Sequence, residues 1–446
     1  SGKKPERLQS LDTFRGISLC LMIFVNYGGG GYWFFEHAAW NGLTFADLLF
    51  PWFMWIMGVS MALSFVSILK EQPRTEHTHN SITSAALAKF TSKQNTLFNA
   101  NANTTPTGTT EVPSTTTTTK PLTLCGIDLI IWWRVFRRSV LLFLIGMFLA
   151  NGYEYSTWRI PGVLQYFGVS YFVTGCTILS VHKLTKARLI KLEREYAKIL
   201  TAYSYEWLIQ SIILIIYLSI IFGGRVAGCP RGYNGPGGIS DNSENFDCTG
   251  GIHRYIDMKF FTWQLIYHHP TCLDMYQCRV YDPEGLLGSL SACSLTYLGL
   301  MAGRIVLHYK EHNQRMIAWC MGGIVLLFIA GILCGFSRED GIIPINKNLW
   351  STSFVAVTAG GGMVVLSLCY LIIDKYKAWT GAPFRYLGMN SIIIYCGHSL
   401  LEEYMPFSYK IYHVNHGTLL QCDVLGTLSW VIIAAYFYHI KFFVKI

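Results

Sequence analysis

The chain has 446 residues, of which 52% are hydrophobic and only 14% charged, with a mean hydropathy of +0.34. A soluble globular protein carries about 25% charge, so these proportions exclude a chain that mostly faces water. The net charge of +9 is not a nucleic-acid signature, because Lys and Arg gather at the ends of apolar segments and report topology instead.

A helix that crosses a bilayer needs roughly 17–25 mostly apolar residues. In chain order the candidate spans are 11–28, 44–67, 136–153, 160–182, 205–223, 284–306, 316–337, 351–373, 384–403 and 424–442. The expected fold is therefore an all-α polytopic membrane bundle of about ten helices, one transmembrane domain over 1–446. The opening SGKKPERLQS is polar and basic, with no initiating Met and no signal peptide, and reads as a processed or truncated start. Span one ends at Asn26, Gly28 to Gly31 turn the chain, His37 lies in a short loop, and span two begins with Asp47 at membrane depth. Polar groups beside hydrocarbon are costly, so Asn26, His37 and Asp47 are candidate functional residues. The four glycines either let backbone approach a ligand closely or simply make a turn.

Three connections exceed a turn. Residues 68–133 contain TTPTGTTEVPSTTTTTKP, which is too poor in apolar residues to form a core and is expected to be a disordered cytosolic insertion. Residues 183–204 form a basic amphipathic stretch suited to anionic lipid headgroups. Residues 224–283 are rich in Gly and Pro and carry Cys229, Cys248, Cys272 and Cys278. With ten spans both termini share a side; that side holds 25 of the 35 Lys and Arg residues and the other holds 9, Arg15 lying inside span one. The positive-inside rule makes the termini cytosolic and 224–283 lumenal, where disulfides persist. Proximity then pairs Cys229 with Cys248 and Cys272 with Cys278. No metal-ligand spacing occurs among the 13 cysteines.

LDTFRGISL, FVNYGGGGYWFFEHAAWNGLTFADLLFPWFMWIMG, RIPGVLQ, CPRGYNGPGGI, DPEGLLG, INKNLWS and GMNSIIIYCGH together resemble the lysosomal heparan-α-glucosaminide N-acetyltransferase family, from about residue 8 to the C-terminus outside the Thr-rich tract. The resemblance implies an enzyme in the lysosomal membrane that takes acetyl from cytosolic acetyl-CoA and gives it to the terminal glucosamine of heparan sulfate in the lumen. It implies no metal and no nucleic-acid partner, allows a homodimer, and suggests a further lumenal domain and span ahead of this chain in a longer or cleaved precursor. By the same resemblance His37 is the catalytic histidine and Asn26 its neighbour. One position departs from the family: RIPGVLQ is commonly followed by Arg, whereas here Gln165 precedes Tyr166.

Chemistry supports these roles independently. In an acidic lumen a sugar amine is ammonium, and a base titrating near 6.5 suits its deprotonation; the rate is then expected to fall below a pKa in the region of 6–7. His37 would serve as that base or carry acetyl transiently. Asn26 could donate to the thioester oxygen, and Asp47 could orient the imidazole or serve merely as a helix N-terminal carboxylate. The phosphates of CoA need fixed cations, for which Arg15, Arg138 and Arg134 are candidates, while Asn390 and His398 on span nine could line the same cavity. Competing readings are a related acyltransferase with another sugar acceptor, and a transporter; no second copy of the VNYGGG–His block supports an internal repeat of the transporter kind. The topology predicts that protease outside sealed, cytosol-side-out vesicles cuts the Thr-rich tract and spares 224–283; cleavage in the latter would invert the orientation.

Overall fold

The computed structural model describes residues 7–70, 123–124, 127–155, 158–191, 201–412 and 414–444. Most of the 68–133 tract and part of the basic 183–204 stretch lie outside the described residues. The architecture is a helical bundle. Its helices are α1 Gln9–Asn26, α2 Phe45–Lys70, α3 Leu129–Ala150, α4 Val163–Lys191, α5 Ser204–Gly223 and α6 Ile252–Phe260. They continue with α7 Leu286–His308, α8 His312–Leu333, α9 Thr352–Tyr370, α10 Phe384–Met389, α11 Ser391–Leu401 and α12 His416–His439. Ahead of α3, Thr123–Leu124 pairs antiparallel with Ile127–Asp128, Leu124 opposite Ile127.

Each expected apolar segment lies on helix, but seven of the helices, not ten, are long and apolar enough to cross a membrane among the described residues. The difference has physical causes. Asp12 and Arg15 dilute the apolarity of α1, and Arg134, Arg137 and Arg138 that of α3. The ninth segment is broken at Asn390 into helices of 6 and 11 residues.

Outward faces of α5 and α8 carry Leu208, Ile212, Ile215, Ile317, Met321 and Phe328 exposed, as a bundle solvated by lipid requires. Inside, close approach depends on small residues, because helices in lipid gain by packing backbones together. Gly58 of α2 abuts the Thr296 carbonyl of α7, and Gly299 and Gly303 of α7 abut the Trp55 and Val59 carbonyls of α2. Gly16 of α1 sits against α10, where an added Cβ would lie 1.7 Å from the Phe384 oxygen. The main core joins Phe14, Trp55, Phe167, Trp319, Trp350 and Phe354 between these helices.

Region 224–285 folds over the end of the bundle where α1 finishes and α2 begins. It holds α6 and the two disulfides Cys229–Cys248 and Cys272–Cys278. The second lies in a small core with Trp40, Tyr281 and Leu349.

At the other end, Arg304 of α7 makes a two-pronged pair with Glu206 of α5 at 2.6 and 3.0 Å and stacks 3.6 Å above the Tyr203 ring. Both partners are buried, so removing one leaves an unpaired charge, at a cost of about 3–5 kcal/mol. Arg304→Met should therefore lower the detergent melting temperature strongly, and adding Glu206→Leu should recover most of the loss.

Candidate active site

Gly28 to Gly31 all adopt positive φ, from 58° to 125°, which only glycine takes without strain. The turn is packed against α12: the Gly30 amide donates to Asp423 Oδ2 at 2.8 Å, and Leu420 lies beside Gly30. These glycines therefore redirect the chain out of α1, and the loop that follows is pinned at both ends. The Gly42 amide donates to the Ile345 carbonyl at 2.8 Å, Asn346 Nδ2 donates to Asn41 Oδ1 at 2.9 Å, and Trp40 Nε1 donates to the Asn234 carbonyl at 2.9 Å.

Within this clamped loop His37 meets the first turn of α2. Its Nδ1 lies 2.8 Å from Asp47 Oδ1. Asp47 is completely buried, and its other oxygen accepts from the Ala38 amide at 3.2 Å and from the Thr44 amide and hydroxyl at 3.1 and 2.9 Å. An ionised carboxylate only accepts, so Nδ1 carries the proton and Nε2 is the basic nitrogen. Lys347 reaches across from the segment before α9, with Nζ 2.9 and 3.2 Å from the two ring nitrogens and 3.5 Å from Asp47 Oδ1. Burial and then the Lys347 charge lower the His37 pKa below its usual value, against the opposing hydrogen bond and charge of Asp47 and the charge of Glu284. The imidazole therefore stays neutral into more acidic solution than an unperturbed histidine would.

His37 lines a cavity of about 240 Å³ together with Asn26, Leu49, Arg159, Tyr267, Glu284 and Lys347. Asn26 Nδ2 is 3.1 Å from Nε2 of His398, and His398, almost fully buried, stands behind the more exposed Asn26. Arg159 grips Asp282 through two bonds of 2.9 and 2.6 Å, also contacts Glu284, and stacks 4.6 Å above Tyr267.

A second cavity, of about 380 Å³, lies toward the opposite end of α1 and is lined by Arg15, Ser60, Ser64, Arg138, Leu142 and Gly388 among others. Both cavities touch Met22, Phe50, Val163 and Tyr395, which form a shared wall. Arg15 is held by Asp12, Ser60 and the Gly388 carbonyl, and Arg138 rests on Tyr171 with its Nε unpaired among the described residues. From Arg15 to Asn26 is 11 residues of α1, about 16 Å of helix rise.

The structure thus brings Asn26, His37, Asp47 and His398 to one end and Arg15 and Arg138 to the other. It does not bring Arg134, exposed on α3, or Asn390 to either cavity wall. Asn390 instead holds the C-terminal segment, donating to the Phe442 carbonyl at 2.9 Å and accepting from the Val444 amide at 3.3 Å. Among the described residues no cluster of His, Cys, Asp and Glu is arranged to hold a metal ion. Arg159 was not singled out from the sequence as a site residue; Lys347 was, but only within Asn346-Lys347-Asn348, a segment that, like Asp282-Pro283-Glu284-Gly285, reads equally as ordinary loop or as a binder of sugar hydroxyls.

No family model matches the chain. Among curated proteins it is similar to two, both named heparan-alpha-glucosaminide N-acetyltransferase: 37% identical to the one from Homo sapiens and 36% to the one from Mus musculus, in each case over 99% of this chain. The chain spans 60% of the length of these relatives. Along almost all of its own residues, therefore, the chain is similar to proteins named heparan-alpha-glucosaminide N-acetyltransferase.

Proposed function

We propose that the chain is a transmembrane acetyltransferase of the lysosomal membrane. It takes acetyl from acetyl-CoA at the Arg15 cavity, facing the cytosol, and gives it to the terminal glucosamine of heparan sulfate at the His37 cavity, facing the lumen. The observation that carries this reading is the pair of cavities, one with fixed guanidinium groups and one with a carboxylate-oriented histidine, meeting at the wall of Met22, Phe50, Val163 and Tyr395. The name of the two similar proteins supports the reaction and acceptor.

Arg15 and Arg138 suit the phosphates of CoA, with the thioester directed toward the shared wall. On the other side the acceptor enters as ammonium. His37 Nε2 takes one proton from it, and the freed amine nitrogen attacks the thioester carbon. Asn26, one amide hydrogen of which is directed to His398, has the other for the developing oxyanion. The C–N bond forms, the C–S bond breaks, and the second amine proton passes to the departing CoA thiolate to give the thiol, while His37 returns the first proton to the lumen. Asp47 keeps the Nδ1 tautomer and stabilises the imidazolium as it forms.

His37→Ala should lower turnover by roughly 10²–10⁴-fold with acetyl-CoA affinity little changed, as read by labelled acetyl transfer and by equilibrium binding; near-wild-type turnover in folded protein would end this mechanism. Replacing Arg15 and Arg138 together should raise the acetyl-CoA KM while leaving acceptor KM nearly constant.

The pH dependence has a defined sign. Protonated His37 cannot accept a proton, so rate falls as lumenal pH drops through its pKa, and burial with Lys347 sets that limb below the ordinary histidine value. Lys347→Met removes one lowering cause and should move the acid limb to higher pH. A limb that stays in place in the variant's kcat–pH profile would separate Lys347 from the base.

A further inference from the structure

The charges around the His37 cavity do not balance. Arg159 is shared by two carboxylates, Asp282 and Glu284. On the facing side Lys347 is set against Asp47. With His37 neutral, two cations face three carboxylates, and the surplus is one negative charge in a site where an uncompensated charge is costly.

Glu284 is the residue that presents this surplus. It lies just ahead of α7, is 7% exposed, and forms part of the cavity wall. Its Oε2 is taken by Arg159, whereas no hydrogen bond reaches its Oε1 among the described residues. Asp282 is spent differently: both its oxygens serve Arg159 and the backbone amides of Tyr267 and Glu284, and it is wholly buried. Asp47 is likewise fully engaged. Lys347 already demonstrates that this cavity accommodates an ammonium beside His37, at 2.9 and 3.2 Å.

Resting on the function proposed above, we infer that Glu284 reads the free amino group of the acceptor: its unshared oxygen takes the ammonium of a 2-amino-2-deoxy sugar beside His37. A sugar whose C2 nitrogen is sulfated brings a negative charge against the same carboxylate, and an acetylated or hydroxyl-bearing C2 offers no charge to it. The acceptor is thereby selected in its protonated form and handed to the neutral imidazole, so the group that recognises the substrate differs from the group that deprotonates it. Glu284 is a specificity-determining residue in this scheme and leaves the acetyl-CoA side untouched.

The test is equilibrium binding of three monosaccharides to the purified full chain by calorimetry, without acetyl-CoA, so the result does not depend on turnover. Wild-type protein should bind methyl glucosaminide roughly ten- to hundred-fold more tightly than methyl glucoside, and bind methyl N-sulfoglucosaminide more weakly than either. Glu284→Gln keeps the shape and should bring the glucosaminide and glucoside affinities within a few-fold of each other, with acetyl-CoA affinity unchanged as the control for folding. A wild-type protein that binds glucosaminide and glucoside equally overturns the inference without recourse to any variant. So does a Glu284→Gln protein that binds acetyl-CoA normally and keeps the full preference for the amine. Labelled acetyl transfer by wild type tests the reaction separately: absence of transfer with the amine preference intact refutes the acetyltransferase reading and retains Glu284 as the amine reader.

Discussion

A carboxylate buried at the edge of a membrane must find partners or give up its charge, and Asp47 finds them all within one loop. His37, the Ala38 amide, and the Thr44 amide and hydroxyl converge on its two oxygens, with Lys347 alongside. The arrangement fixes the path of residues 37–44 over the start of α2. Through Lys347 it also draws in the segment before α9, and that segment in turn contacts the disulfide-bonded region 224–285 through Tyr281, whose hydroxyl donates to the Asn348 carbonyl at 2.7 Å. One satisfied charge thus ties three parts of the chain, far apart in sequence, around a single imidazole. The same bond that satisfies Asp47 sets the histidine's tautomer, so stability and reactivity share a cause.

Most helices were legible because the solvent is lipid: a long apolar run has few alternatives to helix when backbone groups cannot bond to water. The exceptions are where composition and geometry disagree. The segment 384–403 reads as one run, yet Asn390 breaks it, because the Asn390 side chain bonds the distant Phe442–Val444 backbone, a partner invisible to local sequence. Asn26, His37 and Asp47 stood out because each is polar amid apolar neighbours. Arg159 did not, and Lys347 did only as part of a loop segment suited to sugar hydroxyls, since a cation in a loop is ordinary until the fold shows it within 3 Å of a histidine or gripping two buried carboxylates. Arginines raised the opposite difficulty. Arg15 and Arg138 line a cavity, whereas Arg304 has its guanidinium consumed by Glu206, and helical position alone does not separate these cases.

The departure at Tyr166 acquires a structural context. Where the resembling sequences commonly read Arg, the Tyr166 hydroxyl donates to the Gly285 carbonyl and its ring packs edge-on to Trp350. A neutral side chain here supports the turn that carries Glu284 from behind without adding a cation to that side of the cavity.

The glycine seam between α2 and α7 also has a bearing on the chamber. At Gly58, Gly299 and Gly303 no side chain separates the two backbones, so the helices approach closely, and the pair bears Asp47 at one edge of the chamber and the Glu284 turn at another. The facing wall is built otherwise: α11 is eleven residues long, begins at the break beside Asn390, and carries Tyr395 and His398. The chamber therefore has one side where backbone packs directly on backbone and a facing side carried on a short helix that starts at a break.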